Sequence, residues 1–346
     1  MLRHAAGTVR RFAAHEYSHT MLRHAAGTAR RHLATFGGSV VVTCALNGVL
    51  TDPGLNKGIP VTPSEMAAST KEAHDAGASV VHIHFRDQTL GKGHLPTWEP
   101  EVAAEMADAI LAVCPDIIVN FTSGTVGTKG PAGGGPLGPT GGPIACLDAA
   151  EGRVHMAAMN SGSLNYLKMK SNGEWAWPPM LFENSVEKIM TMVDAMQARG
   201  IVPECECFDT GIVRSIKMFE QNGFLASPYT VSLVMGVGSG MPCRADLLPI
   251  LVDELSASAQ WQAICVGRKD EVWPTLRRAA ELGGNVRTGL EDTFVLPDGS
   301  RAESNGALIE ALVGVCREVG REPASPAEAR EILGIKVATK PVAASV

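Results

Sequence analysis

From residue 38 onward, short runs rich in β-branched and apolar residues alternate with stretches whose apolar residues recur at helical spacing. Eight β-rich runs stand out: Val40 to Leu46, Ser79 to His84, Ile117 to Thr122, Val154 to Asn160, Ile201 to Phe208, Tyr229 to Met235, Trp261 to Val266 and Asn285 to Gly289. Helical stretches follow most of them, at Pro63 to Ala76, Pro100 to Val113, Ser185 to Arg199, Thr210 to Asn222, Arg244 to Leu255, Glu271 to Leu282 and Glu303 to Val319. This alternation predicts βα units, right-handed crossovers and a parallel sheet. Eight units fit a closed (β/α)8 barrel, the TIM-barrel form of the α/β class, better than an open doubly wound sheet. No G-x-G-x-x-G follows the first strand, which weakens the dinucleotide-binding alternative. The barrel is expected to span residues 38–340 as one catalytic domain.

The first 34 residues break this pattern. Met1-Leu2-Arg3-His4-Ala5-Ala6-Gly7-Thr8 recurs unchanged as Met21 to Thr28, and each copy is followed by one residue and two arginines. The segment is rich in Arg, His and Ala and superficially resembles a transit peptide. The plainer expectation is a loosely structured extension ahead of the barrel. Five of the ten histidines (4, 15, 19, 24 and 32) lie here, and no function is assigned to them.

Composition narrows the class. With 346 residues, 45% hydrophobic and 19% charged, the chain reads as a globular protein with a large core. No apolar stretch approaches the roughly 20 residues of a membrane span. A net charge of -6 offers no field for nucleic acid, so a small-molecule partner is expected. The eight cysteines are scattered without a C-x-x-C pair and read as buried thiols of a reducing, cytoplasmic setting. A barrel of this acidic kind is expected to form a homo-oligomer.

Barrel enzymes build their sites at the C-terminal ends of the strands. There the polar residues converge: Asn47 and Gly48 on strand one, His82 and His84 on strand two, Asn120 and Thr122 on strand three, Asn160 on strand four. Strand five carries Glu204 and Glu206, with Cys205 and Cys207 on the opposite, helix-covered face. Strand eight runs from Arg287 into Glu291 and Asp292. Side chains two apart on a strand share a face, so His82 and His84 project two imidazoles side by side, a spacing suited to zinc. Buried carboxylates need a pair or a metal, and an internal ion pair such as Arg287 with Glu206 is the plain alternative.

Beyond His155 there is no histidine, so a third metal ligand from later strands must be a carboxylate or a thiolate. That argues against amidohydrolase-type barrels. It favours a zinc site of two histidines and one carboxylate, with an open position that polarises a carbonyl. No lysine lies in a late strand, as a Schiff-base aldolase requires. Two glycine-rich stretches remain. Gly124 to Pro143 lacks a G-K-[ST] ending and reads as a loop over the barrel mouth, and Gly236 to Gly240 is either a nest for an anionic coenzyme group or a plain turn.

The chain resembles the β-keto acid cleavage enzymes from about Val41 to Ile335. The marks are Thr43-Cys44-Ala45-Leu46-Asn47-Gly48, Pro60-Val61-Thr62-Pro63, Ala76-Gly77-Ala78 leading to His82-Ile83-His84-Phe85-Arg86-Asp87, and Asn160-Ser161-Gly162-Ser163-Leu164-Asn165. Pro203-Glu204-Cys205-Glu206, Arg287-Thr288-Gly289-Leu290-Glu291-Asp292 and Ala302-Glu303-Ser304-Asn305 complete them. The resemblance implies zinc held by His82, His84 and Glu291, with Arg287 and Asp292 beside the reacting carbons and Asp292 as base. It also implies a transferase reaction in which a β-keto acid and acetyl-CoA give acetoacetate and a new CoA thioester. Thr122, Glu206 and Asn160 match positions near the substrate.

Two positions depart from the pattern of the members that cleave 3-keto-5-aminohexanoate. Leu50 stands where those enzymes have a glutamate for the substrate ammonium, and Ala158 where they have a threonine. An apolar or short-tailed keto acid is therefore expected, although Glu206 leaves room for a cation. Two alternatives remain: a zinc hydrolase that works without acetyl-CoA, and a non-catalytic protein with structural zinc.

Overall fold

The computed structural model describes residues 38–49, 51–124, 141–176 and 178–336. Eight parallel strands form the barrel: β1 Val42–Ala45, β2 Val80–Ile83, β3 Ile118–Thr122, β4 Met156–Asn160, β5 Val202–Cys207, β6 Thr230–Met235, β7 Gln260–Cys265 and β8 Asn285–Thr288. Each pairs with the next in sequence, and β8 pairs back onto β1, which closes the sheet and leaves no barrel edge. The helices are α1 Pro63–Asp75, α2 Pro100–Val113, α3 Gly141–Ala149, α4 Val186–Ala198, α5 Thr210–Gln221, α6 Leu248–Asp253, α7 Lys269–Glu281, α8 Asn305–Glu318 and α9 Pro326–Leu333.

Local chemistry accounts for the helix starts. Thr62 caps α1 in a reciprocal box with Glu65, with proline at the first turn. Ser185, Asp209, Ser304 and Ser325 cap α4, α5, α8 and α9 through their side-chain oxygens.

The period of two along each strand divides the core. Val42, Cys44, Val81, Ile83, Cys205 and Cys207 face the helices in the main apolar cluster, while Val41, Val80, Ile118, Met156 and Val202 point into the barrel. That inner ring packs against Ala329, Ile332 and Leu333 of α9, so the N-terminal end of the barrel is plugged. Above the ring lies a polar layer centred on Glu204, whose carboxylate accepts from Asn120, Ser232 and Gln262, the last at 2.8 Å. A fully buried carboxylate is tolerable because three donors replace its water. The open end is the C-terminal one.

Several elements differ from the sequence expectation. α3 begins Gly141-Gly142-Pro143, three residues whose local preference is for loop, and burial of Cys146 and Leu147 overrides their low propensity. Residues 125–140 of the expected mouth loop lie outside the described residues, as do the duplicated segment 1–34 and residues 337–346. The stretch Arg244 to Leu255 divides into a 3-10 turn, Ala245–Leu247, and the short α6. A hairpin of Leu164–Tyr166 with Met180–Phe182 follows β4, and neither it nor α9 has a counterpart in the sequence expectation. Gly236 to Gly240 is a turn: the N–H groups of Gly236 and Gly240 donate to the Met241 and Val237 carbonyls. All eight cysteines are buried and free. Among the described residues no helix is long and apolar enough to cross a membrane.

Candidate active site

β2 delivers His82 in the ladder and His84 just past its end, on the same inward face. Register sets His82 between Ala45 of β1 and Asn120 of β3. Glu291 reaches them from the turn after β8. The two Nε2 atoms are 3.2 Å apart, His84 Nε2 is 3.3 Å from Glu291 Oε1, and His82 Nε2 is 3.6 Å from Glu291 Oε2. Among the described residues this is the one cluster of His, Cys, Asp or Glu whose ligand atoms all lie close enough to share an ion. Zinc bonds of about 2.0–2.1 Å place neighbouring ligand atoms about 3.3–3.4 Å apart, close to the separation of the two imidazole nitrogens and to that of His84 from the Glu291 carboxylate. Glu291 Oε2 is buried without a hydrogen-bond partner, a cost that a cation would remove.

The protonation states suit a metal. Burial, reinforced by the Arg287 guanidinium, holds His82 well below its ordinary value and therefore neutral. Burial tends to raise Glu291, but Arg287 and the two imidazoles outweigh it and hold the carboxyl well below its usual range. Both are the forms that bind zinc.

Arg287 links the triad to the rest of the floor. Its Nε and Nη2 grip Asp292 at 3.1 and 3.0 Å in a two-point pair. Nη2 also lies 3.0 Å from Glu291, and Nη1 lies 3.7 Å from Glu206. The Arg287–Glu206 contact expected as the plain alternative is therefore present, beside the cluster of His82, His84 and Glu291 rather than instead of it. Burial disfavours the guanidinium charge, but Asp292 and Glu291 more than offset this and keep it protonated. Burial pushes Asp292 up to about 6 against the opposing pull of Arg287. It pushes Glu206 up to about 8, again opposed by Arg287 and reinforced by Glu204. Burial thus biases Glu206 towards its protonated form, and makes Asp292 a stronger base than an ordinary aspartate.

A brace behind the triad is not legible in the sequence. The Asn47 side chain donates to the carbonyls of His84 and Pro60 and accepts from the His84 N–H. Arg86, fully buried, donates to the carbonyls of Asn47 and Thr51, to the Thr51 hydroxyl and to the His94 carbonyl, all of them neutral acceptors. Together they pin the turn after β1 so that Gly48, with φ +58°, lies against Glu291; a Cβ there would stand 2.5 Å from the Glu291 Cγ. The signal is present in Asn47-Gly48 and in Arg86 after the histidines, but nothing local says which backbone groups a buried guanidinium will meet.

His84, Glu291, Arg287 and Asp292 line the floor of a cavity of about 970 Å³, and Thr122, Asn160 and Glu206 line it as well. The Thr122 hydroxyl accepts from the Gly124 N–H at 3.2 Å, leaving its proton to donate inward. Leu50 lies outside the described residues, but its neighbours Val49 and Thr51 line the cavity.

Residues 39–335 match the family described as beta-keto acid cleavage enzyme. The chain belongs to that family. A 3-keto-5-aminohexanoate cleavage enzyme of Acetoanaerobium sticklandii is 31% identical over 86% of this chain and 98% of its own length. A 3-oxoadipate:acetyl-CoA acetyltransferase of Cupriavidus necator is 30% identical over 85% and 94%. A 3-dehydrocarnitine:acetyl-CoA trimethylamine transferase of Rhizobium meliloti is 30% identical over 85% and 96%. These relatives are named for different keto acids, so membership of the family establishes an enzyme of this type without naming the substrate. Among solved structures, the apo form of ObcA shares the barrel, with a TM-score of 0.60 over 80% of this chain and 66% of that one, at 17% identity.

Proposed function

We propose that the protein is a zinc-dependent β-keto acid cleavage enzyme that takes acetyl-CoA as co-substrate and yields acetoacetate and a new acyl-CoA. The observation that carries this reading is the convergence of His82, His84 and Glu291, with His84 and Glu291 lining the same cavity floor as the Arg287–Asp292 pair. A zinc ion held by the three donors would act as a Lewis acid on the keto acid's carbonyl and carboxylate. Arg287 Nη1 is buried without a hydrogen-bond partner and offers a charged donor to a carboxylate oxygen.

Asp292 serves as the base, since a carboxyl group with a pKa of about 6 is ionised in neutral solution yet more basic than an ordinary aspartate. It removes a proton from C2 of the keto acid. C2 then bonds to the acetyl carbonyl carbon, and the coenzyme thiolate departs. That thiolate attacks C3, the C2–C3 bond breaks with its electron pair on C2, and the Asp292 proton returns to C2. Acetoacetate keeps C1 and C2 of the keto acid plus the acetyl group, and the remainder leaves as the new thioester. Glu206, protonated, is placed to donate to a neutral oxygen of the substrate. Leu50 and Ala158 favour a tail without an ammonium. The eight buried free thiols agree with a reducing, cytoplasmic setting, and a homo-oligomer is the expected assembly.

The test is acetoacetate formation from acetyl-CoA and a panel of β-keto acids, before and after chelation and with zinc restored. Turnover that is lost on chelation and regained with zinc supports the reading. Ester or amide hydrolysis without acetyl-CoA would replace it with a zinc hydrolase.

A further inference from the structure

A carboxylate inside a barrel is costly, and neutral partners by themselves do not require one. Glu204 of β5 is fully buried, and its three donors, Asn120 of β3, Ser232 of β6 and Gln262 of β7, are all uncharged. What a carboxylate has and an amide of the same shape lacks is an acceptor at both ends. Oε1 takes the Ser232 hydroxyl proton and the Gln262 amide, and Oε2 takes the Asn120 amide. Gln262 also donates to the Ser232 oxygen at 3.0 Å, which turns the serine proton to Glu204. All three bonds therefore run towards the carboxylate.

An acceptor at Oε2 fixes the Asn120 amide. Its Nδ2 faces Glu204, because the reversed amide would set carbonyl oxygen against carboxylate oxygen, and Oδ1 is left to the other side. Asn120 is the register partner of His82 across the β2–β3 ladder, where strands run about 4.8 Å apart, and both side chains face the barrel interior. Asn120 Oδ1 and His82 Nδ1 are buried, and neither has a hydrogen-bond partner elsewhere. One is an acceptor, and the other is a donor in one of the two imidazole tautomers. Burial does most to lower the pKa of the ring, and hydrogen bonding with Asn120 works against it.

We propose that Glu204 is a positioning residue for the metal site: through the Asn120 amide it keeps the proton of His82 on Nδ1 and leaves the Nε2 lone pair open to the ion. The inference rests on the zinc site proposed above. The other tautomer would put a proton on Nε2, which stands 3.2 Å from His84 Nε2 and 3.6 Å from Glu291 Oε2, in the space between the three ligands. Imidazoles that bind a metal take their tautomer and ring orientation from the bond made by the other nitrogen. Here that bond goes to a neutral amide, and the carboxylate that orients it acts from one residue further away.

The experiment has two readouts, neither of them turnover. The first is the imidazole nitrogen NMR spectrum of the metal-free parent chain, with the His82 signals assigned by their loss in His82→Gln. A ring protonated on Nδ1 is expected, and one protonated on Nε2 overturns the proposal. The second is zinc affinity, by competition with a chromogenic chelator. Glu204→Gln, whose new amide lets Asn120 turn over, and Asn120→Leu should each weaken zinc about 10- to 100-fold, whereas Ser232→Ala, which disturbs the same layer without touching the Asn120 bond, should stay within about twofold. In the Asn120→Leu background, Glu204→Gln should add less than about twofold. Losses that multiply would mean that the carboxylate acts on the ion by its charge alone, and unchanged affinity in a folded Glu204→Gln would leave the layer a structural filler; either result overturns the relay. Should the variants fail to fold, the parent spectrum decides. A parent that takes up no zinc refutes the metal site by itself, while the spectrum still judges whether Asn120 sets the ring.

Discussion

Asn47 and His84 hold each other by two hydrogen bonds, with the Asn47 amide donating to the His84 carbonyl and accepting from the His84 N–H, both at 2.9 Å. His84 lies one residue past the end of β2, where the ladder no longer fixes the backbone, so one side chain does what a further pair of strand hydrogen bonds would. Partners that orient metal ligands typically change affinity by about 10- to 100-fold when removed. Asn47→Ala is therefore expected to weaken zinc by that range in a protein that still folds, measured by competition with a chromogenic chelator. Unaltered affinity would mean the pairing does not set the ligand.

The triad itself makes a stricter demand. If the proposed site holds its ion by three protein ligands, loss of one imidazole leaves too few donors to retain it. His82→Ala and His84→Ala should each purify without stoichiometric zinc and form no acetoacetate. A metal-free His84→Ala with full turnover would remove zinc from the reaction.

Leu50 sits between two residues that line the cavity, Val49 and Thr51. A charge-assisted hydrogen bond contributes about 1.5–3 kcal/mol, and about 1.4 kcal/mol corresponds to tenfold. Leu50→Glu should raise kcat/KM for 5-amino-3-oxohexanoate roughly tenfold or more relative to an uncharged keto acid of similar length. If zinc is retained and the ratio does not move, the side chain does not meet the substrate tail.

His155 gives the fold a sensitivity to acid. Its Nδ1 accepts from the Val119 N–H at 3.0 Å, and Arg330 stands 3.3 Å from Nε2, so a proton on the ring would lose a bond and face a cation. Burial, with Arg330 adding, lowers its pKa from 6.5 to about 4. The unfolded chain binds this proton more readily, so the stability is whole above pH 6.5 and is lost as pH falls towards 4. Below about pH 6.5 the parent should lose stability more steeply than His155→Gln, by up to about 1.4 kcal/mol per pH unit. Identical denaturation midpoints across that window would remove His155 as the cause.

Residues 1–34 carry a duplicated Arg- and His-rich segment and none of the residues assigned to the site. Their deletion should leave kcat, KM and the melting temperature nearly unchanged. A fall of several degrees would show that the segment packs on the barrel or on a neighbouring subunit.

Local periodicity by itself determined the eight strands, the inward aim of His82, His84, Glu204 and Glu206, and the outward aim of Cys205 and Cys207, because a strand alternates faces whatever surrounds it. The residue order also bounded the metal site, since the absence of histidine beyond His155 required a later ligand of another kind. Closure of the barrel decided the rest. Glu291 meets the two histidines only because β8 pairs back onto β1 and β1 onto β2, a register that depends on all eight strands together. The same closure set Arg86 against the turn after β1 and brought the turn after β6 onto the hairpin after β4. α3 escapes a reading of the sequence because burial against neighbours, not propensity, holds it, whereas α9 carries local signals of its own in the Ser325–Glu328 capping box, Pro326 and the left-handed Gly334.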